Sequence, residues 1–164
     1  MGGSFNIDNI TATLAVLLAQ DWEMLEAINA VANLKNAPGR MERISLDESL
    51  PLVVVDFAHT PDALTSVLES VREHCDGKLM VVFGCGGDRD PSKRKLMGQV
   101  ASTLADSVIV TNDNPRHESA ECIAEAIMLG VRDGAKAEVL LDRKAAIYKA
   151  ISNASVNDVV VVAG

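Results

Sequence analysis

The chain has 164 residues, 48% of them apolar and only 3% aromatic, with a formal charge of −8 at pH 7. This length suits one domain with a full core plus a short appendage, and a core so poor in rings has to be built from Val, Leu, Ile, Ala and Met. The acidic balance argues against a nucleic-acid surface, which needs a basic face, and the cluster Arg89, Lys93, Arg94, Lys95 is too small to reverse it. Cys75, Cys85 and Cys122 are odd in number and form no C-x-x-C pair, which speaks against a disulfide framework or a zinc site. No apolar run approaches the length of a membrane span and the amino end lacks signal-peptide character, so the expectation is a cytoplasmic protein without a membrane partner.

Along the chain, Ile10 to Leu18 and Trp22 to Leu34 carry apolar residues at helical spacing, predicting two adjoining helices that Asn36-Ala37-Pro38-Gly39 ends. A short segment, Arg40 to Leu46, and an acidic turn around Asp47 to Ser49 follow. Strands are then predicted at Leu52 to Asp56, Leu79 to Phe83, Val108 to Thr111, Glu138 to Leu141 and Val159 to Ala163. The intervals hold helices of crossover length, as in right-handed βαβ units. Thr60 before Pro61, and Asp90 before Pro91, each place a capping side chain ahead of a proline suited to the first helical position, and Ser119 and Asp142 read as further starts. The pattern predicts an α/β fold, a Rossmann-like, doubly wound and mainly parallel sheet flanked by helices, with the residues before about Pro38 outside it.

In such sheets ligands bind at the carboxyl ends of the strands, and three of those ends are rich in polar groups. Gly84-Cys85-Gly86-Gly87-Asp88-Arg89-Asp90 has the look of a dinucleotide loop, but Arg89 stands where the third glycine of G-x-G-x-x-G belongs, and Asp90 would oppose a pyrophosphate. Glycines needed only for tight turning are the plainer reading, although that leaves Asp88, Arg89 and Asp90 unexplained. Asp113-Asn114-Pro115-Arg116 suits a zwitterion, with the arginine fork for a carboxylate and the aspartate for an ammonium; a solvated Asx turn explains the same pattern. Asp56 and His59 sit where they can reach a phosphate, metal or ribose, and a structural role is open to His59 as well. His74 and His117 show no partner pattern.

Taken together, several segments resemble the carboxyl-terminal part of a Mur ligase, and most closely the branch that adds meso-diaminopimelate to UDP-N-acetylmuramoyl-L-alanyl-D-glutamate (UDP-MurNAc-L-Ala-D-Glu) in peptidoglycan synthesis. They are Gly3-Ser4-Phe5-Asn6 with Asn9, Gly39-Arg40-Met41-Glu42, Asp56 to Asp62, Phe83 to Asp90 with Lys93 and Arg94, Asp113 to Arg116, and the Val-Ala-Gly ending at Gly164. They occur in the family's order over nearly the whole chain. The resemblance implies ATP-dependent amide formation, in which a glutamate carboxylate becomes an acyl phosphate and the amine displaces phosphate. It implies an amino-acid pocket of Arg89, Asp113, Asn114, Arg116 and Gly164, with Asn114 and Arg116 on the D-configured end that lysine lacks. It also implies a nucleotide side of Asn6, Asn9, Arg40, Asp56 and His59. No residue of this chain is expected to be catalytic or to hold a metal.

The family has three domains. Residues 1–38 correspond to a helical remnant of its central, ATP-binding domain, and residues 39–164 to its C-terminal domain without the final segment. No G-x-x-G-K-[ST] loop occurs in the sequence. The expectation is therefore a fragment, inactive by itself. ATP and Mg2+ would serve the full-length parent and neither would bind this chain tightly, while meso-diaminopimelate, ATP and the UDP-MurNAc-dipeptide would be the parent's partners. The alternatives are a non-catalytic module binding an amino acid or nucleotide, and a sister ligase with another amino-acid substrate. Leu17, Trp22 and Leu25, deprived of a central sheet, would promote self-association.

Overall fold

The computed structural model describes residues 4–34, 37–45, 47 and 49–164, with the backbone alone for residues 4–6. Its main body alternates strand and helix: Leu52–Asp56 (β2), Pro61–Arg72 (α3), Leu79–Phe83 (β3), Ser92–Leu104 (α4), Ser107–Val110 (β4), Ala120–Met128 (α5), Ala137–Val139 (β5), Arg143–Asn153 (α6) and Val159–Ala163 (β6). Ahead of these lie Ser4–Ala19 (α1), Met24–Ala32 (α2) and Glu42–Ile44 (β1). The six strands form one sheet in the order β1-β2-β6-β3-β4-β5, parallel throughout except for β1. The expected doubly wound sheet is therefore present, with an antiparallel edge that the sequence reading leaves unassigned. Three residues, Glu-Arg-Ile, carry too little pattern to announce a strand; pairing of Arg43 opposite Val54 decides it.

Every residue of β3 and β6 is buried, as expected of parallel strands covered on both faces. Alternation along each strand divides the core. Val81, Phe83, Val159 and Val161 face the layer containing α3, α4 and α5, while Met80, Val82, Val160 and Val162 face Ala146 and Ala150 of α6. The first three crossovers step away from β2, and the last, through α6 on the opposite face, brings the chain back to insert β6 between β2 and β3. The carboxyl end of β6 thus lies in the crevice where the winding reverses, the usual place for a ligand. On the α6 side an apolar groove of about 430 Å³ stays open beside Val53, Val55, Ile147 and Ile151.

The helix starts follow their caps. Thr60, Ser119 and Asp142 accept the N–H groups of Ala63, Cys122 and Ala145 at 3.3, 3.3 and 3.0 Å. At the fourth start the helix begins one residue later than the proline rule suggests, at Ser92, with helical backbone angles already at Pro91; Asp90 still accepts from the Ser92 N–H and hydroxyl at 2.9 and 2.7 Å. The two amino-terminal helices pack on each other through a break at Asp21, whose φ of 62° lies in the left-handed region. Ala27 and Val31 are buried, whereas Trp22, Met24, Leu25 and Ile28 remain exposed.

Candidate functional site

The loops after β3 and β4 form one unit. The Gly87 N–H donates to the Asn114 carbonyl at 2.8 Å, and Arg116 returns an Nη1 donor to the Gly87 carbonyl. Contact is so close that a Cβ on Gly87 would stand 1.9 Å from the Pro115 oxygen, and one on Gly84 2.4 Å from the Thr111 oxygen. Two of the glycines are thus present because another backbone occupies the side-chain position, which explains the loop's composition without a pyrophosphate.

A carboxylate closes the unit. Glu118 accepts from Arg94 Nη1 and Nη2 at 2.8 Å each, and its Oε1 also takes the Asp88 N–H at 2.6 Å. The Arg94 hydrogen bonds first, and the Asp88 N–H second, hold the Glu118 carboxyl below the usual range. Arg94 is only 6% exposed in its side chain, so this bidentate pair lies at the edge of the core. His117 Nδ1 meets Asp88 Oδ2 at 2.6 Å, giving a partner to a histidine for which the sequence suggested none. Asp88 and Arg116 both have left-handed backbones, φ 51° and 50°. Non-glycine residues there cost on the order of 1–2 kcal/mol each, and the cross-loop hydrogen bonds offset that cost.

Against this fixed backbone the side chains of Arg89, Asp113 and Asn114 are exposed and have no hydrogen-bond partner among the described residues. Arg116 also faces the loop, with one guanidinium nitrogen committed to Gly87. The arrangement offers two cations, one anion and one amide, the set that a zwitterion with an extra carboxylate requires. Cys85, buried beneath, has its thiol pushed up to about 11 by desolvation, despite the opposing charges of Lys93 and Arg94.

The other set of predicted residues gathers at the end of β2. Asp56 is buried and uses both oxygens on backbone, accepting from the Met41 and Ala58 N–H groups at 2.8 Å each. It organises the 39–41 turn, where Gly39 (φ 66°) and Met41 (φ 47°) both adopt left-handed angles. Arg40 lies over the Phe57 ring, 5.5 Å from its centroid. His59 is exposed with Nδ1 2.9 Å from the Phe57 carbonyl, and Lys93 donates to the His59 carbonyl at 2.9 Å. Asn9 is exposed on α1, where its carbonyl accepts from the Thr13 hydroxyl; the side chain of Asn6 lies outside the described residues.

Gly164 (φ 93°) stands between the two sets at the end of β6. Strand ends at β2 and β4 are three strand spacings apart, about 14 Å, so the sheet separates the groups expected on the nucleotide side from those expected in the amino-acid pocket. Arg143 spans the centre, donating to the Ala163 and Gly164 carbonyls at 3.0 and 3.1 Å and to the Asn112 carbonyl at 3.4 Å. Sequence reasoning missed Arg143, Glu118 and the pairing of Arg94. The only sequence signal was position, Arg143 opening a helix and Glu118 directly preceding a cap, and neither predicts a partner so distant in the chain.

The sequence has no phosphate loop, and among the described residues no cluster of three or more His, Cys, Asp or Glu side chains is disposed to hold a metal. No described helix is long and apolar enough to cross a membrane.

The UDP-N-acetylmuramoyl-L-alanyl-D-glutamate–2,6-diaminopimelate ligase of Haemophilus ducreyi is 46% identical over 166 residues, covering 100% of this chain and 33% of that protein. The enzyme of the same name from Coxiella burnetii is 46% identical over 162 residues, covering 99% and 33%. A solved structure of such a ligase superposes with a TM-score of 0.75 at 42% identity, over 100% of this chain and 34% of the other. The chain therefore spans about a third of the length of these relatives. The family model for the glutamate ligase domain of Mur ligases matches residues 39–164, which include the whole sheet and every loop described above, and the chain belongs to the Mur ligase family.

Proposed function

We propose that this chain forms the amino-acid-receiving part of an ATP-dependent, amide-forming ligase that adds meso-diaminopimelate to UDP-MurNAc-L-Ala-D-Glu in peptidoglycan synthesis. The observation that carries the reading is the pair of locked loops that leave Arg89, Asp113 and Asn114 without a hydrogen-bond partner among the described residues, beside Arg116 and Gly164. In this reading Arg116 and Asn114 engage the D-configured ammonium-carboxylate end of the ligand, and Asp113 accepts from its ammonium. Arg89 neutralises a second carboxylate. The incoming amine is thereby oriented and its charges are matched before it attacks. Arg40, Asp56 and His59, with Asn6 and Asn9, border the nucleotide side; Asp56 acts there by shaping the 39–41 turn.

Residues 1–38 are read as a helical piece of the family's central domain, and residues 39–164 as its C-terminal domain. The exposed apolar residues of α1 and α2 support this, since they require a cover that the rest of the described chain does not give them. With no phosphate loop, these 164 residues are expected to turn over nothing alone. The parent works in the cytoplasm with ATP and Mg2+.

The test has two parts. Titration of the chain with meso-diaminopimelate, followed by amide NMR, is expected to shift residues 86–89 and 113–116 saturably, and L-lysine at the same concentration is expected to leave them in place. Equal response to both amino acids overturns the assignment. The segment is then exchanged for the matching third of the Haemophilus ducreyi ligase, and phosphate release is expected only with ATP, UDP-MurNAc-dipeptide and meso-diaminopimelate together. Binding without turnover in that chimera would identify a non-catalytic module instead, and phosphate release by the 164 residues alone would refute their inactivity.

A further inference from the structure

We infer that Glu118 and Arg94 are positioning residues for the amino-acid site, fixing the backbone on which Arg89 is mounted so that its guanidinium meets a ligand carboxylate; this rests on the reading just given. Both Glu118 oxygens are engaged, by the two Arg94 nitrogens and by the Asp88 N–H. The Arg94 side chain is almost fully buried, and its Nε has no partner among the described residues, so Glu118 is the only acceptor its guanidinium has there. A bidentate fork of this kind sets orientation as well as distance.

Arg89 lies between two immobilised neighbours. The Asp88 N–H is held by Glu118, and Asp90 is tied to Ser92 at the head of α4. The Arg89 side chain is left exposed and without a hydrogen-bond partner among the described residues. A binding arginine needs this combination of rigid mount and free head, because ordering the mount in advance removes that entropy cost from binding. Glu118 thus carries to Arg89, through the Asp88 N–H, the register of a loop 29 positions further along the chain.

A purely structural brace predicts a different result from a positioning pair, and a double-mutant cycle separates them. The 164-residue chain and its Glu118→Ala, Arg89→Ala and doubly substituted forms are titrated with meso-diaminopimelate, and exchange of the Asp88 amide is measured without ligand. Each single change is expected to weaken binding about tenfold, and the double change by little more than either one, because without Glu118 the guanidinium is already misplaced. Asp88 exchange should accelerate about tenfold in Glu118→Ala and stay unaltered in Arg89→Ala. Glu118→Gln, which conserves volume, takes the place of the alanine form if that form unfolds. Additive losses, or unchanged affinity in the Glu118 variants while the parent chain binds, overturn the inference and leave the ligand assignment standing. A parent chain that fails to bind meso-diaminopimelate overturns both.

Discussion

Substituting Gly87 by alanine tests whether the two site loops depend on backbone contact. The new Cβ would stand 1.9 Å from the Pro115 oxygen and 2.6 Å from its carbonyl carbon. Relief to a tolerable 3.0 Å requires the loops to part by at least about 1.1 Å. Movement of that size lengthens the 2.8 Å hydrogen bond from the Gly87 N–H to Asn114 beyond useful range and strains the Arg116 contact with the Gly87 carbonyl. Overpacking costs about 1–3 kcal/mol, and each lost hydrogen bond about 1 kcal/mol. The sum, about 3 kcal/mol, corresponds to a fall in Tm of about 6–12 °C at this chain length. Urea unfolding at pH 7 gives the value, with an unchanged m showing that both forms unfold alike. Gly134→Ala is the control: its φ of 78° is left-handed but nothing lies within 4 Å, so only conformational strain of about 1 kcal/mol applies. A Gly87→Ala cost below about 1 kcal/mol, or equal to the control, would falsify the claim that close backbone approach dictates this glycine.

Three further outcomes follow from the same geometry. Glu118, held low by Arg94, and Asp158, held low by accepting the Ser155 and Lys78 N–H groups at 2.8 and 2.7 Å, bind protons less readily folded than unfolded. Their stabilisation is complete above the ordinary carboxylate range, about 3.9–4.3, and is lost as pH falls towards their lower folded values; Asp158→Asn should lower stability at pH 7 and flatten the decline towards pH 3, and an unchanged slope in urea midpoints would reject the assignment. Because burial pushes Cys85 up to about 11 while Cys122 is exposed, a thiol reagent at pH 8 should label Cys122 first, Cys75 next and Cys85 only on unfolding; mass spectrometry showing early Cys85 labelling would contradict its burial. Sedimentation should show reversible self-association that weakens on Leu25→Glu, since Leu25 is 71% exposed among other apolar residues of α2, and a monomer at all concentrations would exclude it.

Much of the fold is legible along the chain because parallel strands and crossover helices carry local signatures. The valine run of β6 is apolar at every position, as a strand buried on both faces must be, and Thr60, Ser119 and Asp142 mark their helices by side-chain chemistry that acts within three residues. The edge strand β1 was illegible, since Glu42-Arg43-Ile44 becomes a strand only when β2 is beside it. The candidate site divides the same way. Arg89, Asp113, Asn114 and Arg116 stand out as polar groups at strand ends, so sequence alone proposes them. That Asp56 points both oxygens at backbone, and that Arg94 finds Glu118 from 24 positions away, depends on which loops the sheet order places side by side. Sequence by itself determined the alternating strands and helices from β2 onward, most of their caps and the residues rich in chemistry, because those follow from near-neighbour forces. Tertiary structure alone decided the insertion of β6, the clasp between the two loops and the division of the site, because pairings between distant segments are fixed only when the whole sheet closes its core.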